Sequence, residues 1–321
     1  MPETRFSPDA QHRYNPVKSS FWHTYLGLIL QLSLFAVLMA AAVIIVPIFY
    51  DPRDWENLFK QSVPYAIMAL ALVLPSRLKG IDLSAGAVFA VSGWVFAYYV
   101  SENMLVPGLI LALAAGLALG AANGTIQTFI RVPSAGKAMT VSAAVSFGIT
   151  LLVSGSVRAL WSSGMLIVQI EGVDITAVGA ISLAAALLIV LAMLYFTKLG
   201  GEGAAQKRHF FMAYAGSGLI FSLAACCMVM RLQVCSPNFS RSAQIFYLLF
   251  IAGAILVSRT AKIRIMPVVC ALMAALNWSA MSNILTLCGV GPYFQSVLQL
   301  VLTAAFMIPA FLVQRGSRTR I

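Results

Sequence analysis

The residues of this chain best suited to chemistry lie in one short stretch, Gly80-Ile81-Asp82-Leu83-Ser84-Ala85-Gly86, set between two hydrophobic runs. Asp82 is the only carboxylate near the centre of an otherwise uncharged set of apolar segments. Asp followed by Leu and Ser reads as a helix start, with the Asp82 side chain capping free N–H groups of the next helix. Gly80 and Gly86 on either side allow a sharp entry and close packing against a neighbouring helix. An ionisable group at membrane depth is otherwise a functional residue by default, so Asp82 carries two readings, cap and site.

Other chemistry is scarce. The stretch Ser134-Ala135-Gly136-Lys137-Ala138 resembles the end of a nucleotide-binding P-loop, but Arg131 stands where the first glycine is required. Ala138 replaces the Ser or Thr that would hold magnesium, so the stretch reads as a basic turn and ATP hydrolysis is not expected of this chain. His12, His23 and His209 fall in loops or at helix ends. Cys226, Cys227, Cys235, Cys270 and Cys288 show no CxxC spacing, so neither a metal site nor a disulfide framework is implied. Proton- or sodium-coupled carriers place carboxylates, histidines or unwound carbonyl sites at midplane, and only Asp82 is a candidate here.

The elements that must position these residues are membrane helices. The chain has 321 residues, 60% hydrophobic and only 10% charged, against roughly a quarter charged in soluble domains. The fold class is an all-α polytopic membrane protein. A spanning helix needs about 20 apolar residues, and ten stretches qualify: 25–49, 63–78, 83–100, 104–130, 138–160, 176–196, 210–230, 243–258, 265–285 and 293–313. The second and eighth are short, so one of them is expected to be broken or recessed. Pro64, Pro75 and Pro309 are expected to kink or end their helices. The first twenty residues are polar and lack a signal-peptide pattern.

Of the 21 basic residues, 16 fall in loops that alternate to one side, together with both ends of the chain. The positive-inside rule puts that side, and both termini, in the cytosol. The expected organisation is a cytosolic tail over 1–24, a transmembrane domain over 25–313 and a basic cytosolic tail over 314–321. A faint internal repeat relates the fourth helix, from Pro107 to Asn123, to the ninth, from Pro267 to Asn283. By the charge rule the two run in opposite directions, the pattern of five-plus-five inverted repeats. Gly116, Gly120 and Gly124 form a double GxxxG, which lets another backbone approach closely.

Four stretches together resemble a known family. Asn57-Leu58 with Gln61-Ser62 looks like its opening of the second helix, and Gly80–Gly86 looks like its G-I-D-L-S-x-G signature. Ala121-Ala122-Asn123-Gly124 with Arg131-Val132-Pro133 resembles its N-G…(V/I)-P segment, and Gly289-Val290-Gly291-Pro292-Tyr293-Phe294-Gln295 resembles its G-V-S-P-Y-W-Q stretch. Ser236-Pro237 also falls where the family has a similar pair. The family is the membrane permease subunit of bacterial sugar-type ABC importers, the group of the ribose, galactoside, xylose and autoinducer-2 permeases.

The resemblance implies a multi-pass protein of the bacterial cytoplasmic (inner) membrane that moves a sugar or similar small polar solute by alternating access. It implies a second permease copy or a sister permease. It also implies two cytosolic ATPase subunits, which would hold the ATP and magnesium, and a periplasmic or lipid-anchored binding protein; this chain itself would hold no cofactor. In the family the loop after the sixth helix is a coupling helix of the type G-G-N-E-x-A-A-R-x-S-G-I. Here Gly200, Gly201, Glu202, Ala204 and Ala205 resemble its first part, while the segment is shortened and the S-G-I is absent. The family's Gly-rich stretch after the eighth helix has become Ala252–Arg259.

The expected ATPase contact is therefore Gly201, Glu202, Ala204, Ala205 and Lys207, with an ordinary basic cytosolic loop as the competing account. Arg158, Arg231 and Arg241, on the outer side, are candidates for docking acidic residues of a binding protein, or are simple interfacial arginines. Asp82, Ser84, Gly80, Gly86, Asn123 and Asn283 are expected to line, gate or brace the translocation path. A stand-alone secondary carrier of the drug/metabolite type is the alternative from another class, and a non-transporting membrane scaffold a third.

Overall fold

The structure, a computed structural model, describes residues 21–45, 51–78, 80–130, 135–161, 166–168, 175–196, 204–258 and 265–316. Ten α-helices fill these segments: α1 (Phe21–Ile45), α2 (Pro52–Arg77), α3 (Ala85–Ser101), α4 (Leu105–Phe129), α5 (Ala135–Leu160), α6 (Ile175–Phe196), α7 (Ala204–Leu232), α8 (Ile245–Ser258), α9 (Met266–Leu287) and α10 (Pro292–Gly316). Among the described residues eight helical runs are long and apolar enough to cross a membrane, one of them joining a 3₁₀ turn to α8 over Phe239–Ser258, and α3, with 17 residues, is a shorter apolar helix. The chain is a polytopic all-α membrane protein. Two-residue strands β1 (Leu166–Ile167) and β2 (Val234–Cys235) pair antiparallel at one end of the bundle, with Leu166 opposite Cys235.

One expectation is corrected and one is met. The second helix is not short: α2 spans 26 residues and runs through Pro64 and Pro75. Asp51 caps it through a 2.9 Å bond from Arg53 N–H, and Pro52 occupies the first turn, where a missing N–H costs nothing. Its first turns carry Asp54, Glu56 and Lys60, the last two paired at 2.6 Å, and these polar residues hide a helix start from a hydropathy reading. The eighth helix is short, at 14 residues, and follows a 3₁₀ turn over Phe239–Ala243.

Helices α2 and α7 lie side by side at the centre. α4 packs on α7 as α9 packs on α2, and α3 touches α4 and α5 as α8 touches α9 and α10. In lipid there is no hydrophobic force between helices, so such contacts depend on close approach of small residues and on hydrogen bonds. The α4–α7 seam shows this. A Cβ at Gly120 would strike the Tyr214 carbonyl oxygen, and one at Gly218 would strike the Gly116 carbonyl oxygen and lie 2.7 Å from Gly120 Cα. The double GxxxG of α4 is thus a helix seam, closed from the other side by Gly218. Around α8 and α9 the core is aromatic: Trp278 is fully buried, with ring centroids 5.5 Å from Tyr247 and 5.6 Å from Phe250.

Gly218→Val should therefore wedge α4 off α7 and cost about 3 kcal/mol, the upper range for overpacking. A Cβ at Gly155 of α5 meets nothing within 4 Å, so Gly155→Val should leave the thermal midpoint of the detergent-purified chain unchanged while Gly218→Val lowers it.

The turn between α9 and α10 explains one motif. Gly289 has φ +71°, the Gly289 N–H donates to Thr286 O at 3.0 Å, and the Val290 N–H donates to Leu285 O at 2.9 Å. This is a Schellman cap with glycine at its left-handed position. Pro292 then opens α10, and Gln295 Nε2 donates to Val290 O at 2.8 Å, tying the turn across.

Candidate functional site

The chain between α2 and α3 is irregular yet enclosed: residues 80–84 are all buried. Irregular backbone inside a membrane bundle must find partners for its polar groups, because lipid offers none. α2 ends as the Leu78 and Gly80 N–H groups both donate to Pro75 O, at 2.9 and 3.0 Å. α5 supplies further partners through hydroxyls spaced by four residues on one helix face. Ser142 Oγ accepts from Ile81 N–H at 3.3 Å and donates to Ile81 O at 3.1 Å. Thr150 Oγ1 donates to Leu83 O at 2.7 Å. Between them Ser146 Oγ accepts from Asn123 Nδ2 at 3.1 Å.

Asp82 sits inside this frame with no exposed surface. Its Oδ1 accepts from the Ser84 N–H at 2.9 Å, the Ser84 hydroxyl at 2.6 Å and Asn123 Nδ2 at 3.0 Å. Its Oδ2 accepts from the Ser217 hydroxyl at 2.8 Å. Gln127 Nε2 donates to Ser142 O at 3.2 Å and to Asn123 Oδ1 at 3.3 Å, and the Tyr214 hydroxyl bonds Ser142 Oγ. One carboxyl therefore ties the start of α3 to α4 and α7, with α5 joined through its serines. The expectation that Asp82 caps α3 is corrected: Ser84 is the N-cap residue and makes no side-chain cap bond. Asp82 accepts a single backbone N–H and the Ser84 hydroxyl locally, and its bonds from Asn123 and Ser217 cross the bundle because α4 and α7 bring donors within reach.

The flanking glycines have steric reasons. A Cβ at Gly80 would collide with the Tyr214 hydroxyl, and one at Gly86 would lie 2.5 Å from Thr150 Cγ2. Both glycines make room for the side chains that fasten the segment.

The structure thus gathers Gly80, Asp82, Ser84, Gly86 and Asn123 into one cluster. It places Asn283 apart, on α9 and half-buried, with Nδ2 unpaired among the described residues. On α9 the buried amide is Asn277, whose Nδ2 donates to Gln31 Oε1 of α1 at 2.7 Å. Arg158 ends α5, Arg231 ends α7 half-buried, and Arg241 is exposed in the 3₁₀ turn. All three lie at the end of the bundle where β1 and β2 pair. Gly201 and Glu202 lie outside the described residues, while Ala204, Ala205 and Lys207 fall in the opening of α7. Sequence reading missed Ser142, Ser146, Thr150, Tyr214 and Ser217. The i, i+4, i+8 spacing of the three α5 hydroxyls was the available signal.

An all-α membrane bundle with a broken, hydrogen-bonded segment at its interior defines a class to which transport proteins belong. Comparison with known proteins narrows it. The chain is 28% identical to the ribose import permease protein RbsC of Escherichia coli over 304 residues, covering 84% of this chain and 90% of that one. It is 26% identical to the "Probable ABC transporter permease protein y4mJ" of Sinorhizobium fredii, covering 83% of each chain. A segment amounting to 23% of the chain is 36% identical to the fructose import permease protein FruF of Bifidobacterium longum, 21% of which it covers. No family model matches the chain, and no solved structure matches it significantly. The chain resembles the membrane permease subunits of bacterial sugar-type ABC importers.

Proposed function

We propose that this chain is the transmembrane permease subunit of an ATP-driven importer, forming by alternating access the path for a sugar or similar small polar solute. The observation that carries this reading is the alignment with an import permease over nine-tenths of its length. The geometry supports it. The segment most specific to the resemblance, Gly80–Gly86, is where three helices converge on one carboxyl. In this reading all ten helices cross the inner membrane, with residues 25–313 as the permease domain and the tails 1–24 and 314–321 in the cytosol.

Two correspondences support a five-plus-five inverted repeat. Before α3, Asp82 binds Asn123 of α4; before α8, Gln244 Oε1 accepts from Trp278 Nε1 of α9 at 3.0 Å. Thr150 of α5 donates to the Leu83 carbonyl ahead of α3, and Thr303 of α10 donates to the Phe246 carbonyl at the start of α8 at 3.1 Å. Each half fastens its third helix in the same way, and opposite running directions put the two fastenings at opposite membrane faces.

Helix α7 is the element that would carry force. It starts at Ala204, beside Gly201 and Glu202, and places Tyr214 and Ser217 on the Asp82 cluster before ending at Arg231. At 1.5 Å per residue its 29 residues reach about 43 Å. Cytosolic ATPase subunits, holding ATP and magnesium, would press on 201–207. A periplasmic or lipid-anchored binding protein would meet the outer end of the bundle at Arg231 and Arg241. A second permease would complete the path, and the exposed glycines Gly148 and Gly155 of α5, with open space above them, suit a closely packed partner helix.

Reconstituted alone in liposomes, the chain should be inert. Uptake should appear only with ATPase and binding-protein subunits and ATP. Robust uptake driven by an ion gradient alone would instead establish the secondary-carrier reading.

A further inference from the structure

At the end of the bundle that carries Arg158, α3, the end of α5 and β1 enclose a cavity of about 370 Å³. Its walls are Trp94 and Tyr98 from α3, Val157, Leu160 and Trp161 from the end of α5, and Leu166 of β1. The rings form a slot: the Trp94 and Trp161 centroids are 6.2 Å apart and those of Trp94 and Tyr98 are 6.4 Å apart. The volume lies within the roughly 300–1,000 Å³ of ligand pockets. Among the described residues every wall side chain is aliphatic or aromatic. A sugar would need fixed amide or carboxyl partners for its hydroxyls, so the imported solute is a poor occupant.

The slot opens on the outside of the bundle, since Trp94, Tyr98 and Leu160 are 39%, 48% and 86% exposed. Trp and Tyr in such positions sit at the boundary between hydrocarbon and water. Val157 and Trp161 stand on the far side of α5 from Gly148 and Gly155 at 100° per residue, so a helix packed on those glycines leaves the slot open. Arg158 is exposed, lies three residues before Trp161 and so next to it on the helix surface, and pairs with no carboxyl among the described residues.

We propose that this slot is a binding site for an anionic phospholipid, with an acyl chain between the rings and the phosphate on Arg158. Lipid is the solvent at this depth and fills an apolar opening that water would not. The planar guanidinium fits a phosphate with two parallel hydrogen bonds. Charge complementarity with Arg158 therefore selects among headgroups, while the slot selects for a chain.

The test uses the whole chain in phosphatidylcholine vesicles, with tryptophan fluorescence quenched by lipids brominated in their acyl chains. Brominated phosphatidylglycerol should quench at about fivefold lower mole fraction than brominated phosphatidylcholine, the preference one interfacial cation supports. Arg158→Gln should merge the two curves. Val157→Phe, which narrows the slot, should weaken quenching by both lipids with an unchanged thermal midpoint. Trp94→Phe and Trp161→Phe should remove the headgroup-dependent part, locating it here. Coincident curves in the unaltered chain, or a preference that survives Arg158→Gln, would overturn the proposal. So would headgroup-independent quenching together with crosslinking of position 158 to a soluble acidic partner, which would assign the slot to a docked protein. None of these readouts involves transport, so failure here leaves the importer reading untouched.

Discussion

Asp82→Ala should lower the stability of the purified chain by about 3 kcal/mol and abolish transport with it. The substitution strands the Ser217 hydroxyl, the Ser84 N–H and hydroxyl, and one of two bonds from Asn123. A stranded buried donor costs about 1–3 kcal/mol. Interhelical bonds in membrane bundles average about 0.6 kcal/mol, with a maximum near 1.7. The hydroxyls can turn to other acceptors and Asn123 keeps Ser146, so the total falls well short of four full penalties.

Asp82→Asn separates bracing from a role for the charge. The amide oxygen keeps the three bonds at the Oδ1 position, and its NH₂ donates to Ser217 Oγ, which can accept. That variant should hold its thermal midpoint to within about 1 kcal/mol and, as a brace, should still support transport in the assembled complex. Thermal melting in detergent and uptake in vesicles decide the matter together. Loss of uptake by Asp82→Asn at an unshifted midpoint would place the carboxyl on the translocation path instead.

The apolar helices were readable in the sequence because lipid thickness fixes their length, and most ends fall within a few residues of the reading. The misses have local causes. α2 begins among Asp54, Glu56 and Lys60, and its early turns do not look like a membrane segment although Trp55, Phe59 and Val63 follow a helical spacing. Likewise α7 extends back through Lys207 and Arg208 to Ala204. At the site, Asp82 and Asn123 stood out because each is the odd polar residue of its segment. Ser142, Ser146 and Ser217 did not, since a serine on an apolar helix has the same small profile as the alanines that pack seams. Tyr214 carries no such signal in the sequence, and only the fold shows its ring inside the bundle with its hydroxyl over Gly80. The inverted repeat was sought by matching Asn123 with Asn283. In the proposed repeat the recurring feature is a fastening, and Trp278 performs it on α9, where no residue-type match would reveal it.

Deleting residues 200–206 should separate ATP hydrolysis from solute movement. The deletion removes Gly201, Glu202, Ala204 and Ala205 and with them the first residues of α7, whose axis leads through Tyr214 and Ser217 to the Asp82 cluster. A force applied at the opening of α7 reaches the α2–α3 break because the α4–α7 seam has no slack: Gly120 and Gly218 are already in backbone contact. With the lever shortened, the partner ATPases should still hydrolyse ATP but lose their response to solute-loaded binding protein. Coupling free energies of about 1–3 kcal/mol correspond to roughly 5- to 150-fold, so uptake per ATP should fall within that range. Glu202→Gln, which keeps the length and removes one charge, should retain most of the coupling if helix length transmits the motion, and lose it if an ion pair with the ATPase does. Measuring ATP hydrolysis and uptake in the same vesicles reads both quantities. Unchanged uptake after the deletion would show that the ATPases dock elsewhere, and the basic residues Lys207 and Arg208 would then be no more than the cytosolic charge that orients the chain.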